Sequence, residues 1–370
     1  DFPKGWQLGE PDIILTMAEA FPVPADGPDI YRNFVLPIEL EEDRWVTAVE
    51  LRTTAPTSVH HCLYFLDDTG DARKQDENDP GPGFERMGFR RTGDLGGWAV
   101  GATPRKLPAG LARTLTKGSD LILSMHFHPS GKPEKEKARI GLYFAEKPPE
   151  RTLVGFMVPP QYGARAGINI PAGEADFRLE ETIRIPVDVE LVLASGHAHY
   201  LCRSMRADAV DDEGNSKPLL SIPRWDFNWQ GQYEYSKFLP VAAGTEIRSL
   251  IVYDNSEANL ANPFSPPQRV TWGLESNDEM GSVIFHAVPK NEDDAEFLWL
   301  WSMALEWGGG RRDRGLLRRI KQADPNGDGV IEKKELKDPI SRAYFNRLDF
   351  NGDGVINYKE INDAFSKRKR

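Results

Sequence analysis

Six of the chain's seven histidines stand in three tight clusters: His60-His61, His126-Phe127-His128 and His197-Ala198-His199. Each cluster lies in or beside a segment that reads as a β-strand, such as Leu121-Ile122-Leu123 before the second and Leu191-Val192-Leu193 before the third. Imidazole is the commonest metal ligand, and an ion needs lone pairs converging from separate stretches of backbone. A chain written this way must fold so that strands distant in sequence bring their histidines together.

Strand geometry sharpens the expectation. Residues i and i+2 of a strand face the same way, about 6–7 Å apart. His197 and His199 can therefore share one ion, and His126 and His128 also share a face. His60 and His61 would point to opposite faces of a regular strand, so they can share an ion only where the strand bends, bulges or ends. A single such pair is more often a surface or satisfied polar pair. Three pairs that use almost the whole histidine supply point to two metal sites.

Met280 discriminates among metals. A lone methionine usually fills a core, but this one follows Asn277-Asp278-Glu279 and opens an apolar run, at a loop–strand junction. Its soft thioether favours Cu(I) over zinc or iron. The two cysteines, Cys62 and Cys202, each neighbour a histidine cluster and read as small buried hydrophobes beside a site.

The remaining pattern is mainly β. Residues 1–155 show short alternating runs such as Trp45-Val46-Thr47-Ala48-Val49, broken by Pro and Gly, and residues 156–292 repeat the pattern. Many short strands with turn residues between them predict antiparallel sandwiches. Lys147-Pro148-Pro149-Glu150 marks the crossing between two domains, and the acidic, Gly/Pro-rich stretch 68–82 reads as a long surface loop. The apolar run Phe297–Leu305 is half the length of a membrane span and predicts a buried helix within a helical linker, 293–310, that ends on Gly308-Gly309-Gly310.

Residues 311–370 form a small α-helical unit carrying an internal repeat. Asp324, Asn326, Asp328, Val330, Glu332 and Glu335 fall at the ligand positions of a twelve-residue EF-hand loop, and Asp349, Asn351, Asp353, Val355, Asn357 and Glu360 repeat them. Up to two calcium ions are expected. The loops begin 25 residues apart (324 and 349) with Pro339 between them. This spacing predicts a rigid pair in place of a calmodulin-type switch, which needs a Met-rich groove.

The order of motifs, His-His, Met125-His126-Phe127, His-X-His and Asp278-Glu279-Met280, resembles the type II copper monooxygenases. That family includes peptidylglycine α-hydroxylating and dopamine β-monooxygenases. The resemblance spans roughly residues 30–290, and Lys117–Leu121 leading into His126 adds to it. It implies two jelly-roll-like β-sandwiches, each with one copper, facing across an open cleft. It further implies that His60, His61 and His126 hold an electron-transfer copper, while His197, His199 and Met280 hold the oxygen-binding one and carry catalysis. His128 is one histidine more than this set needs: it can replace or supplement His126, or, the favoured reading, order the surroundings of the ligands, while His286, about 20 Å from Met280 along an extended strand, reads as structural. By the same resemblance O₂ and an organic C–H substrate react, with electrons from ascorbate or another one-electron donor, such as a redox partner.

The peptide-amidating members place an arginine two residues before His-X-His, and Asn and Tyr after the methionine. Ser195, Ser282 and Ile284 stand there in this chain, which argues against peptidylglycine as substrate. Two cysteines cannot form the family's several disulfides either. A non-catalytic copper-binding or electron-transfer protein is the alternative. A zinc hydrolase fits less well, because Met280 is a poor zinc ligand and only Glu279 could serve as a nearby base. The net charge of −11 argues against a nucleic-acid partner. Asp1 is not a start methionine, so a removed leader and a secreted or periplasmic location are expected.

Overall fold

The computed structural model describes residues 5–85, 88–211, 213–306, 330–335, 345 and 354–357. The first ten strands are β1 (Ile13–Thr16), β2 (Phe21–Val23), β3 (Ile30–Pro37), β4 (Arg44–Arg52), β5 (Val59–Asp67), β6 (Gly93–Ala99), β7 (Arg113–Leu115), β8 (Asp120–Phe127), β9 (Glu134–Glu136) and β10 (Arg139–Phe144). They make two four-stranded antiparallel sheets, in the orders β1-β10-β4-β7 and β3-β8-β5-β6, with β2 and β9 as a separate pair. Alternating apolar residues of both sheets, including Val46, Ile140 and Leu142 from one and Phe34, Tyr64 and Leu123 from the other, close on one core.

The next ten repeat the plan: β11 (Val154–Val158), β12 (Asn169–Ile170), β13 (Phe177–Arg184), β14 (Val189–Ala198), β15 (Cys202–Val210), β16 (Ser216–Ile222), β17 (Gln232–Val241), β18 (Glu246–Tyr253), β19 (Val270–Thr271) and β20 (Gly281–Pro289). Sheets β11-β20-β14-β17 and β13-β18-β15-β16 face each other over a second core. Every ladder between named strands of these two units joins strands of the same unit. The chain is thus mainly β, with two sandwiches. Lys147–Glu150 lies between β10 and β11.

Two named α-helices stand among the described residues. Residues 68–82, expected as loop, contain α1 (Asp71–Asn78). The helix lacks an apolar stripe, and Ala72 is its only buried residue, so periodicity could not reveal it. Its start is held by Asp67, whose carboxylate accepts from the Thr69 and Ala72 amides at 2.8 and 2.7 Å. The second helix, α2 (Ala295–Glu306), is the expected buried helix: Phe297, Leu298 and Trp301 join the core of the second sandwich, and Trp301 packs edge-on against Phe156. No helix among the described residues is long and apolar enough to cross a membrane.

In the tail, β21 (Val330–Glu332) and β22 (Val355–Asn357) pair antiparallel, Ile331 opposite Ile356, with both side chains and Phe345 buried. Of the expected calcium ligands, Val330, Glu332, Glu335, Val355 and Asn357 fall in this part. Asp324, Asn326, Asp328, Asp349, Asn351, Asp353 and Glu360 lie outside the described residues, as do the three glycines 308–310.

Candidate metal centre

The first site sits where β5 and β8 run side by side. His61 pairs with His126 and Val59 with Phe127, so the register slips at His60. This is the bulge that two adjacent histidines need in order to turn toward one point. His60 Nδ1 and His61 Nδ1 lie 3.2 Å apart, and His126 Nδ1 lies 3.4 Å from His61 Nδ1. Three nitrogens bound to one ion at about 2.0–2.1 Å with tetrahedral angles stand roughly 3.3–3.4 Å from one another. Among the described residues these three side chains form a group able to hold a metal ion. His126 Nε2 donates to Asp29 Oδ2 at 2.8 Å, which leaves its Nδ1 as a bare lone pair facing the cluster.

The second group grows from the neighbouring ends of β14 and β20. Ala198 is opposite Gly281 in that ladder, which sets His197 and His199 beside Met280. Two glycines permit this packing. A Cβ on Gly196 would stand 2.1 Å from Met205 Sδ, and one on Gly281 would stand 2.3 Å from the Tyr253 hydroxyl. His197 Nδ1 donates to Gln230 Oε1 at 2.6 Å, and the Gln230 amide nitrogen is committed to the Phe227 carbonyl. His199 Nδ1 donates to the Asp278 carbonyl at 3.2 Å. Both rings therefore carry a bare Nε2. That of His197 lies 3.2 Å from Met280 Sδ, which has no proton to offer. Two lone pairs face each other across a gap that only an electrophile can make favourable.

Glu279 holds this corner together. Its fully buried carboxylate accepts the backbone amides of His199, Leu201 and Met280 at 2.6, 2.9 and 3.0 Å. Burial nonetheless outweighs these donors and pushes its pKa up to about 8. With its oxygens spent on backbone, Glu279 is a scaffold for the ligands and does not present a general base.

The two groups touch. The His61 and His197 rings stand 5.8 Å apart, nearly perpendicular, so the two sandwiches meet at this point. Phe227, from the connection between β16 and β17, stacks on His60 at 4.2 Å and meets His199 at 6.1 Å. Next to it the Gln230 backbone N–H donates to the Val100 carbonyl of the first sandwich. Tyr162 packs edge-on against His197, and Gln161 and Tyr162 both have left-handed backbone (φ 54° and 50°). Strained non-glycine residues of this kind concentrate at functional sites. Phe227, Gln230, Tyr162 and Asp29 escaped sequence reasoning, because none belongs to a motif and each reaches the site through tertiary contact.

Burial sets the protonation of the rings. It pushes His60 down to about 2, His197 to about 4 and His199 to about 3, and holds His61 well below the usual range, with neighbouring imidazoles lowering His60, His61 and His199 further. Neutral imidazoles near pH 7 are ligand-competent. His128 stays outside the cluster. It is half-exposed, and its Nδ1 contacts Asp29 Oδ1 at 2.6 Å. His286 lies away from both groups, opposite Gly155 and Leu193, with its Nδ1 enclosed and without a partner. Cys62 and Cys202 are buried thiols, and burial raises both well above the ordinary value.

The sequence model of the EF hand family matches residues 317–341 and 342–366. The tail therefore carries an EF-hand pair. No curated protein matches the chain. Among solved structures, it is similar to the major capsid protein P2 from bacteriophage PM2, at 9% identity over 76% of this chain and 98% of that one, with a TM-score of 0.33. It is also similar to a peptide-N(4)-(N-acetyl-β-D-glucosaminyl) asparagine amidase, at 12% identity over 75% of this chain and 96% of that one, with a TM-score of 0.33.

Proposed function

We propose that the chain is a two-copper monooxygenase that inserts one oxygen of O₂ into a C–H bond of an organic substrate other than peptidylglycine. The observation that carries the metal assignment is the pair of facing lone pairs on His197 Nε2 and Met280 Sδ. An imidazole and a thioether with no proton between them suit a soft monovalent cation. Bound copper supplies the one-electron chemistry that O₂ requires. The overall change, RH + O₂ + 2e⁻ + 2H⁺ → ROH + H₂O, needs an external donor such as ascorbate or a redox partner.

The chain's own residues prepare for this. His60, His61 and His126 offer three neutral nitrogens, suited to an ion that exchanges an electron without changing its partners. His197, His199 and Met280 offer a sparser set with a weak ligand. Gln230, Asp278 and Asp29 fix the tautomers. Phe227 and Tyr162 shield the rings from water. In the tail, calcium would fill the two EF-hand loops.

The deciding experiment is oxygen uptake by copper-loaded protein with ascorbate, with and without candidate C–H substrates. Substrate-dependent uptake with hydroxylated product supports the proposal. Stoichiometric copper without any substrate-dependent uptake favours the alternative, a copper-binding or electron-transfer protein on the same frame.

A further inference from the structure

Asp29, in the connection between β2 and β3, has an almost fully buried side chain that meets both halves of the molecule. Its Oδ2 accepts from His126 Nε2 at 2.8 Å, and from the Ser276 amide and hydroxyl at 2.9 and 2.6 Å. Its Oδ1 contacts His128 Nδ1, and its own amide donates to Glu275 Oε2 at 3.2 Å. Two residues on, the Tyr31 hydroxyl donates to the Leu274 carbonyl, and the Tyr31 ring stacks on His126 at 4.3 Å. Leu274–Ser276 is the segment that runs into Asp278-Glu279-Met280. A single carboxylate thus grips a ligand of the first group and the approach to a ligand of the second.

We propose that Asp29 is a positioning residue that couples the two metal groups, clasping the Leu274–Met280 segment against His126. The carboxylate accepts from His126 Nε2 and from the Ser276 amide and hydroxyl, and such donors favour its charged form. It therefore acts as an anion, which a neutral isostere cannot replace. The clasp does not hold the halves together alone. Leu111 of the first sandwich packs with Val192 and Val288 of the second, so removing Asp29 loosens this seam without separating the domains.

The coupling has a direct consequence. Fixing His126 for metal also fixes the entry to Met280, so each ion favours the other's site. Losing the hydrogen bond that a ligating imidazole donates to a carboxylate typically weakens metal binding by about 10–100-fold. The second group should weaken as well, although Asp29 does not touch any of its ligands.

The first test uses metal-free protein, so it stands apart from the copper reading on which the coupling rests. Hydrogen exchange over residues 274–280 should quicken at least tenfold in Asp29→Ala and Asp29→Asn, while β13 and β18 keep wild-type protection. Ser276→Ala, which removes only the far hydroxyl, should quicken the same segment by a smaller factor, and it decides the matter if the Asp29 variants fail to fold. Unchanged exchange at 274–280 in the folded variants would overturn the clasp. The second test titrates Cu(I) against a chromophoric chelator. Weakening at both sites in Asp29→Asn supports coupling, and weakening at the first site alone overturns it. If exchange quickens but wild-type protein binds no copper, the clasp survives and the copper reading falls.

Discussion

Replacing Met280 with leucine separates two roles that alanine would confuse. Met280 is only 5% exposed, and its backbone carbonyl accepts from the buried Tyr253 hydroxyl. Truncation to alanine would leave a cavity and cost about 2–5 kcal/mol. A drop in metal content would then be open to blame on a loosened fold. Met280→Leu nearly conserves volume, and such exchanges usually cost less than about 1.5 kcal/mol. It deletes the sulfur, which lies 3.2 Å from His197 Nε2. If Met280 only fills space, the leucine variant keeps both metals. If its thioether is a ligand, the variant keeps its denaturation midpoint within that margin and loses one copper of two. Urea unfolding of metal-free protein measures the first quantity, and mass-spectrometric metal counting the second. The ion at His60, His61 and His126 should remain, because no ligand of that group is touched. Two coppers retained in a stably folded Met280→Leu protein would refute the reasoning.

Two other consequences are testable. His286 is neutral in the fold, with its pKa pushed down to about 3 mainly by burial, whereas the unfolded ring protonates near 6.5. The stability of keeping it neutral is complete above about pH 6.5 and is lost as pH falls toward 3. The stability difference between wild type and His286→Gln should therefore shift against wild type by about 2 kcal/mol between pH 7 and pH 5; a difference independent of pH would show that the ring is solvated. Chelating calcium should lower the melting temperature of the tail, since ligand at a hundredfold excess over its dissociation constant contributes about 2.7 kcal/mol. Copper content should stay unchanged, and a loss of copper on calcium removal would contradict the independence of the two regions.

The β character, the paired sandwiches and the EF-hand repeat were legible because each rests on local pattern: alternation, turn residues and a twelve-residue loop. The meeting of His60, His61 and His126 could be anticipated only conditionally. Adjacent histidines demanded an irregular strand, and the slip at His60 supplies it. The small helix α1 was invisible because it has no periodic apolar stripe: Asp67 holds its start, Arg73 pairs with Asp120 of β8, and Ala72 is its one buried residue. The contact between the two halves was also hidden. Asp29 is 97 residues from His126 and 247 from Ser276, and no local rule connects such positions. The same holds for Phe227 and Gln230, which reach the metal groups from the connection between β16 and β17.

Counting transition metals in protein expressed with ample copper and purified without chelators tests the central claim most directly. About two coppers per chain are predicted for the wild type. One should remain when His61 is replaced by alanine, and one when His199 is replaced. Zinc as the only tightly bound transition metal, or copper content indifferent to both substitutions, would contradict the account.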